Sequence, residues 1–232
     1  MKHIKLITLI VVFFTSAGFR WAGGKEMFIA DVNHMQDLLN NSTGLSMRVS
    51  VGNISISGAV PQVSAEVKRK GTEVYYKLMG NEYLFTNKHT VMVDHSKKLI
   101  AYSPADPVYR NLVFSMLPSV DSVLRFFDSV SLKGSAKGEH RYMIYNKRSP
   151  IKSIEAFYNT EIGFFTKFIY EYDEEYGGDA GKIAVIYSDI NFNTKFSNLE
   201  FSVSRFVSVK GDQIMGVGAL SKYSVTKVPI QN

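Results

Sequence analysis

The sequence has no cysteine among its 232 residues. No disulfide can therefore brace the fold, and no lipid can be attached at an N-terminal cysteine. A chain of this length must rely on its own apolar core, and about 210 residues can bury one of the size found in a single large β domain.

Long hydrophobic runs are also absent, apart from a short one at the N-terminus. Residues 6–14 are apolar except for Thr8, follow two lysines and precede small residues. This run is shorter than the roughly 20 residues that a membrane-spanning helix needs. We predict a removable signal peptide over residues 1–22 and export to the periplasm, with an uncleaved anchor as the alternative. Two cleavage sites fit, Thr15-x-Ala17 and Ala22-x-Gly24.

Sequence signatures of catalysis are missing as well. There is no Gly-x-Ser-x-Gly elbow, phosphate loop or dinucleotide fingerprint. The histidines beyond the signal are not paired at zinc-binding spacing: His34, His89, His95 and His140. The acidic stretch 171–179 lacks the alternating ligands of a calcium loop and is typical of a hairpin loop. We predict no enzyme activity, metal or cofactor, with a hydrolase using an unrecognised site as the alternative.

The net charge is modest. The chain has 27 basic and 21 acidic residues, and three of the basic residues, Lys2, Lys5 and Arg20, lie in the predicted signal. The remaining excess of about +3 argues against a nucleic-acid partner for an exported protein. A weak attraction to an anionic membrane surface remains compatible with this charge.

Hydrophobic periodicity predicts an N-terminal helix followed by many strands. Apolar residues recur at three- and four-residue steps over residues 26–39, and the period changes to two from Leu45 onward. Further strands are predicted at 62–69, 73–79, 83–87, 90–94, 98–102, 141–146, 152–158, 164–172 and 182–190, with weaker signals at 201–209 and 213–225. A second helix is predicted from Pro118 to Phe127.

This order of elements predicts one α+β, mostly β domain over residues 23–232. Short strands joined by short turns form an antiparallel meander, and about ten strands accumulate enough twist to curl. We therefore expect a curved antiparallel half-barrel, an unclosed β-barrel, with two or three helices covering its concave face.

Residues 90–104 carry a more specific pattern. An apolar strand, a polar turn at His95 and Ser96, and an apolar strand that ends in Tyr102-Ser-Pro104 follow one another. This hairpin resembles that of the periplasmic outer-membrane lipoprotein carrier family, the LolA-like proteins. The turn lacks the usual Asp-Gly, which indicates a distant branch. The resemblance implies a hydrophobic cavity under a helical lid, lid contact by Arg48, and handover between inner- and outer-membrane machinery.

The resemblance and the richness in apolar strand residues predict a carrier that binds a lipid or lipoprotein acyl chain without chemistry. The candidate ligand-binding residues are Tyr76, Leu78, Met92, Ile100, Phe127, Phe164 and Phe168. Each of them could instead fill the core, because periodicity does not distinguish a core from a cavity. The alternative function is an envelope interaction module on the same fold that binds a peptide, a glycan or an envelope protein.

Overall fold

A computed structural model describes residues 23–55, 58–105, 128–145, 150–173, 181–211 and 213–228. The chain divides into two compact units, residues 1–36 with 119–181 and residues 37–118 with 182–232. The predicted signal peptide and the predicted helix at Pro118 to Phe127 lie outside the described residues. A single domain after residue 22 stays a prediction.

Helix α1 spans Gly23–Asn41, close to the predicted 26–39. The predicted apolar stripe is buried throughout, with Phe28, Val32, Met35 and Leu39 each at most 5% exposed. Burial of each such side chain contributes roughly 1.5–3 kcal/mol, which outweighs the low intrinsic stability of an isolated helix. The helix ends where the Ser42 hydroxyl donates a hydrogen bond to the Leu39 carbonyl at 2.8 Å.

The second unit contains a sheet of eight strands in the order β14-β6-β5-β4-β3-β2-β1-β11. Their bounds are β1 Leu45–Ser55, β2 Gly58–Lys70, β3 Glu73–Leu78, β4 Asn81–Phe85, β5 His89–Asp94, β6 Leu99–Pro104, β11 Lys182–Asn191 and β14 Ser224–Lys227. Strands β1 to β6 pair as an antiparallel meander, as predicted, whereas β14 pairs with β6 in parallel.

The first unit contains four antiparallel strands in the order β10-β9-β8-β7. Their bounds are β7 Ser129–Ala136, β8 Glu139–Tyr145, β9 Ile151–Asn159 and β10 Phe164–Tyr172. The sequence predicts β8, β9 and β10 but not β7. Most of the β7 side chains are exposed, so this strand lacks the apolar alternation by which the others are identified.

The C-terminal strand predictions are only partly correct. Two 3₁₀ helices, Val203–Arg205 and Gly218–Leu220, interrupt the regions predicted as strands. Between them, β12 Val207–Lys210 and β13 Gln213–Gly216 form a separate hairpin. A Cβ atom at Gly216 would lie 2.0 Å from the Leu220 carbonyl oxygen, so the tight return of the chain here requires glycine.

The predicted fold class, a mostly β protein with an unclosed antiparallel sheet, is confirmed. The helix count differs. The described residues contain one α-helix, fewer than the two or three predicted, while the second predicted helix falls on residues that the structure does not describe.

Candidate functional site

Strand register in the second unit brings three of the predicted ligand-binding residues to one face of the sheet. Tyr76 lies opposite Tyr83, and Tyr83 lies opposite Met92. Directly opposed residues of paired strands project from the same face. Leu78 is two positions from Tyr76 and joins them. We call Tyr76, Leu78, Tyr83, Phe85 and Met92 the Tyr76 face.

Aromatic rings cover much of the Tyr76 face. The Tyr76 ring stacks on Tyr83 with centroids 4.4 Å apart and on Phe85 at 5.8 Å. Burial, with a smaller contribution from Tyr83, raises the pKa of Tyr76 to about 12, so its phenol is neutral at physiological pH. Met92 is 42% exposed, and Tyr76, Leu78 and Tyr83 are half-buried. This face therefore presents uncharged aromatic and thioether surface that remains in contact with solvent.

The same apolar surface continues along β2 and β1. Val67 lies opposite Tyr76, and Met47 lies opposite Val67. Further along β1, Val49 lies opposite Tyr187 of β11. The register thus places an apolar row across six strands, from β11 through β1 to β5, on the face that carries Tyr76.

On strands β3 to β6, the opposite face of this sheet is covered by the C-terminal residues. A buried cluster joins sheet residues with side chains that follow β11, namely Tyr75, Leu84, Val91, Val93, Ile100, Tyr102, Phe201, Phe206, Val207 and Leu220. Ile100, a predicted ligand-binding residue, belongs to this cluster and is fully buried. It therefore lies on the other side of the sheet from Tyr76 and Met92.

A polar network lies beside this C-terminal core. One Glu82 oxygen accepts a hydrogen bond from Tyr75 at 2.8 Å and lies 3.4 Å from the Arg205 guanidinium, while the other lies 2.9 Å from His95 Nε2. His95 Nδ1 is 3.0 Å from the Tyr223 hydroxyl. Burial opposes ionisation of Glu82, but the bonds from Tyr75 and His95 outweigh it and lower its pKa. Sequence reasoning placed His95 in a turn and missed this network, because its members lie far apart in the chain.

Phe164 and Phe168 lie in the first unit and are buried, at 1% and 7% exposure. The Phe168 ring centroid is 5.4 Å from Phe165, which packs against Phe28 of the helix. Phe127 falls outside the described residues. The register therefore brings Tyr76, Leu78 and Met92 together and places the other predicted residues elsewhere. Ligand binding by any of the seven stays a prediction.

Helix α1 is also attached to the first unit through a buried carboxylate. Asp31 Oδ2 accepts a hydrogen bond from the Tyr142 hydroxyl at 2.5 Å and lies 2.7 Å from His140 Nδ1. Burial, followed by the bond to Asp31, raises the pKa of Tyr142 above its usual range. The buried carboxylate thus links the helix to β8.

The predicted lid arginine, Arg48, is exposed and lies 3.6 Å from the Asp189 carboxylate. Its register partner Glu66 pairs in turn with Lys77, on the face opposite Tyr76. A different arginine reaches the helix: Arg69 donates a hydrogen bond to the Leu39 carbonyl at 2.8 Å. Lid contact by Arg48 remains a prediction from the family resemblance.

Within the described ranges, no group of three or more histidine or carboxylate side chains is placed to hold a metal ion. Over the same residues, no helix combines the length and apolar character that crossing a membrane requires.

No protein-family model and no curated protein matches the chain. Solved structures resemble its fold at low identity. Lipoprotein LppX from Mycobacterium tuberculosis is 10% identical, with a TM-score of 0.44 over 74% of this chain and 99% of that one. A LolA superfamily protein from Nitrosomonas europaea is 10% identical, with a TM-score of 0.35 over 76% of this chain and 98% of that one. A chain of the Pseudomonas aeruginosa MucA/MucB complex is 10% identical, with a TM-score of 0.47 over 85% of this chain and 63% of that one.

Proposed function

We propose that this protein is a periplasmic carrier that binds an acyl chain of a lipid or lipoprotein on the Tyr76 face and hands it over without chemistry. One observation carries the proposal. Both faces of the sheet of the second unit carry apolar side chains. Those of one face, on β3 to β6, are buried against C-terminal residues, whereas the Tyr76 face keeps Met92 42% exposed and three further apolar side chains half-buried.

The chemistry of the Tyr76 face suits an acyl chain. Each methylene removed from water contributes roughly 0.8 kcal/mol, so a long chain needs an extended apolar surface and little else. The stacked rings of Tyr76, Tyr83 and Phe85 supply a flat wall, and the flexible thioether of Met92 can adapt to chains of different shape. Because the Tyr76 phenol is neutral, no charge has to be desolvated beside it.

The test is the lipid content of the exported protein and of a Met92→Lys variant. Lipids are extracted from each purified protein and identified by mass spectrometry. A lysine at position 92 places a charge in the proposed acyl site, so we expect most of the bound lipid to be lost. The matched control is Met79→Lys, which makes the same replacement at a turn methionine that is 75% exposed.

Unchanged circular dichroism and melting temperature establish that both variants fold. If the wild-type protein carries no lipid and takes up none when it is offered fatty acid or phospholipid, the carrier function is wrong. The envelope interaction module then becomes the better hypothesis. Equal lipid loss in the Met79 and Met92 variants would place the acyl chain elsewhere on the protein.

A further inference from the structure

The net charge of the chain is unevenly distributed. Residues 192–232 contain five basic and two acidic residues, and residues 1–22 contain three basic and no acidic ones. With 27 basic and 21 acidic residues in total, the intervening residues 23–191 hold nineteen of each. Residues 23–191 therefore carry no net charge, and the excess of three positive charges beyond residue 22 lies in residues 192–232, the C-terminal segment.

One of the two acidic residues of this segment, Glu200, and the nearby Glu82 are neutralised within the fold, while the other, Asp212, follows Gly211 in the sequence. Glu200 pairs with Lys68 at 3.0 Å, and Glu82 pairs with Arg205. By contrast, Lys210, Lys222 and Lys227 are exposed, and no ion pair to them occurs among the described residues. Lys210 ends β12 and Lys227 ends β14, while Lys222 precedes β14, which lies against β13.

The same segment exposes apolar side chains on the β12–β13 hairpin. Val209 is 50% exposed and Met215 is 48% exposed. Val209 lies opposite Ile214, whereas Met215 lies opposite Ser208, one register position away. Successive positions of a strand project to opposite faces, so apolar groups emerge on both faces of the hairpin near its turn. Gly211, with φ of +59°, lies at that turn.

We infer that this surface, Val209, Lys210, Met215, Lys222 and Lys227, docks the protein on an anionic lipid bilayer. Exposed apolar groups flanked by lysines are the combination by which peripheral proteins enter the headgroup region, where apolar burial and attraction to anionic lipid act together. Val207 and Ile214, on the Val209 face, pack against the buried core, so it is the end of the hairpin around Gly211 that a fluid bilayer can surround. A protein partner with a flat surface would cover Val209 or Met215 but not both.

This inference does not depend on acyl-chain binding by the Tyr76 face. A carrier must meet a membrane to collect or deliver its cargo, but a peripheral envelope protein of another function could use the same surface. Vesicle binding and copurifying lipid are separate measurements, so either proposal can fail alone.

The experiment is co-sedimentation of the exported protein with phosphatidylcholine vesicles that contain either no anionic lipid or about 30% phosphatidylglycerol. We expect binding to the anionic vesicles only, weakened at least about tenfold by raising the salt from 0.05 to about 0.5 M. A Lys210→Glu/Lys222→Glu variant should lose binding by a similar factor, about tenfold or more. Val209→Ser/Met215→Ser should weaken binding at low salt as well, because it removes the apolar contribution.

The control variants make the same changes away from the proposed surface. Lys88→Glu/Lys133→Glu reverses two exposed lysines and alters the net charge equally, and Met79→Ser removes another exposed methionine. Both should bind within about twofold of wild type. No vesicle binding by the wild-type protein, equal binding to neutral vesicles, or equal losses in the control variants would overturn the inference. Binding to an acidic envelope protein without binding to vesicles would also overturn the inference.

Discussion

The Arg69 guanidinium donates a hydrogen bond to the carbonyl of Leu39 at 2.8 Å, which joins strand β2 to the last turn of helix α1. The last carbonyls of a helix have no partner within it, and the helix C-terminus attracts positive charge. Arg69 shares this acceptor with the Ser42 hydroxyl, and it also places a positive charge at the negative end of the helix.

Replacement of Arg69 by alanine should destabilise the protein by about 1–2 kcal/mol, the size expected for a half-buried hydrogen bond from a charged donor. Urea denaturation followed by circular dichroism measures this loss. The matched control is Arg48→Ala, which breaks only the exposed ion pair with Asp189 and should cost less than about 0.5 kcal/mol. A larger loss at Arg48 than at Arg69 would show that Arg48 is the arginine that secures the helix.

These two arginines illustrate what the sequence predicts and what it leaves open. The helical stripe and ten of the strands are predictable because they depend on local periodicity, which burial of an apolar face imposes on the chain. Which arginine meets the helix end depends on β1 and β2 pairing in one register, with Leu45 opposite Arg69. A single sequence does not determine that register.

In the candidate site, too, the strand pattern was predictable and the arrangement of the strands in space was not. Tyr76 and Ile100 both satisfy the strand pattern, and local reasoning assigned both to a ligand wall. The structure separates them because residues 201–220 fold onto one face of the sheet and bury Ile100. The choice of face is made by a segment about a hundred residues further along the chain, where β12 and β13 are short and interrupted by 3₁₀ turns.

Asp31→Ala should be among the most destabilising changes in the first unit. Asp31 is 8% exposed, and its loss leaves the fully buried Tyr142 hydroxyl without its acceptor. We expect a loss of about 2–4 kcal/mol in the free energy of unfolding. Asp31→Asn retains an acceptor oxygen and should recover part of this loss.

The control on the same helix is Asp37→Ala, because Asp37 is exposed. Its effect should stay within about 0.5 kcal/mol. If the alanine variants at positions 31 and 37 unfold at the same urea concentration, the buried carboxylate does not anchor the helix.

Gly44 is fixed by a close approach of the chain. A Cβ atom there would lie 2.3 Å from the Thr194 carbonyl oxygen and 2.9 Å from the Phe196 ring. Gly44→Ala must therefore displace the backbone that follows β11, at an expected loss of about 1–3 kcal/mol. Gly134→Ala is the matched control, since no atom lies within 4 Å of its Cβ position. A thermal melt should show a lowered transition for the first variant and little change for the second.

The Glu82 network predicts loss of stability in acid. The folded-state pKa of Glu82 is lowered from 4.5, because hydrogen bonds from Tyr75 and His95 outweigh the effect of burial. A carboxylate whose pKa is lower in the folded than in the unfolded state contributes stability that is present above the unfolded pKa and is lost as the pH falls through the folded one. The contribution of Glu82 should therefore decrease below about pH 4.5.

A Glu82→Gln variant tests this linkage. It should be less stable than wild type at pH 7, because the charge-assisted bonds to His95 and Arg205 are lost. The difference should narrow as the pH falls below about 4.5, since protonation removes the same charge from the wild-type protein. Urea midpoints at each pH measure the difference, and Glu139→Gln, at an exposed position, is the control. If the difference between wild type and Glu82→Gln stays constant from pH 7 to pH 3, ionised Glu82 does not hold the C-terminal residues against the sheet.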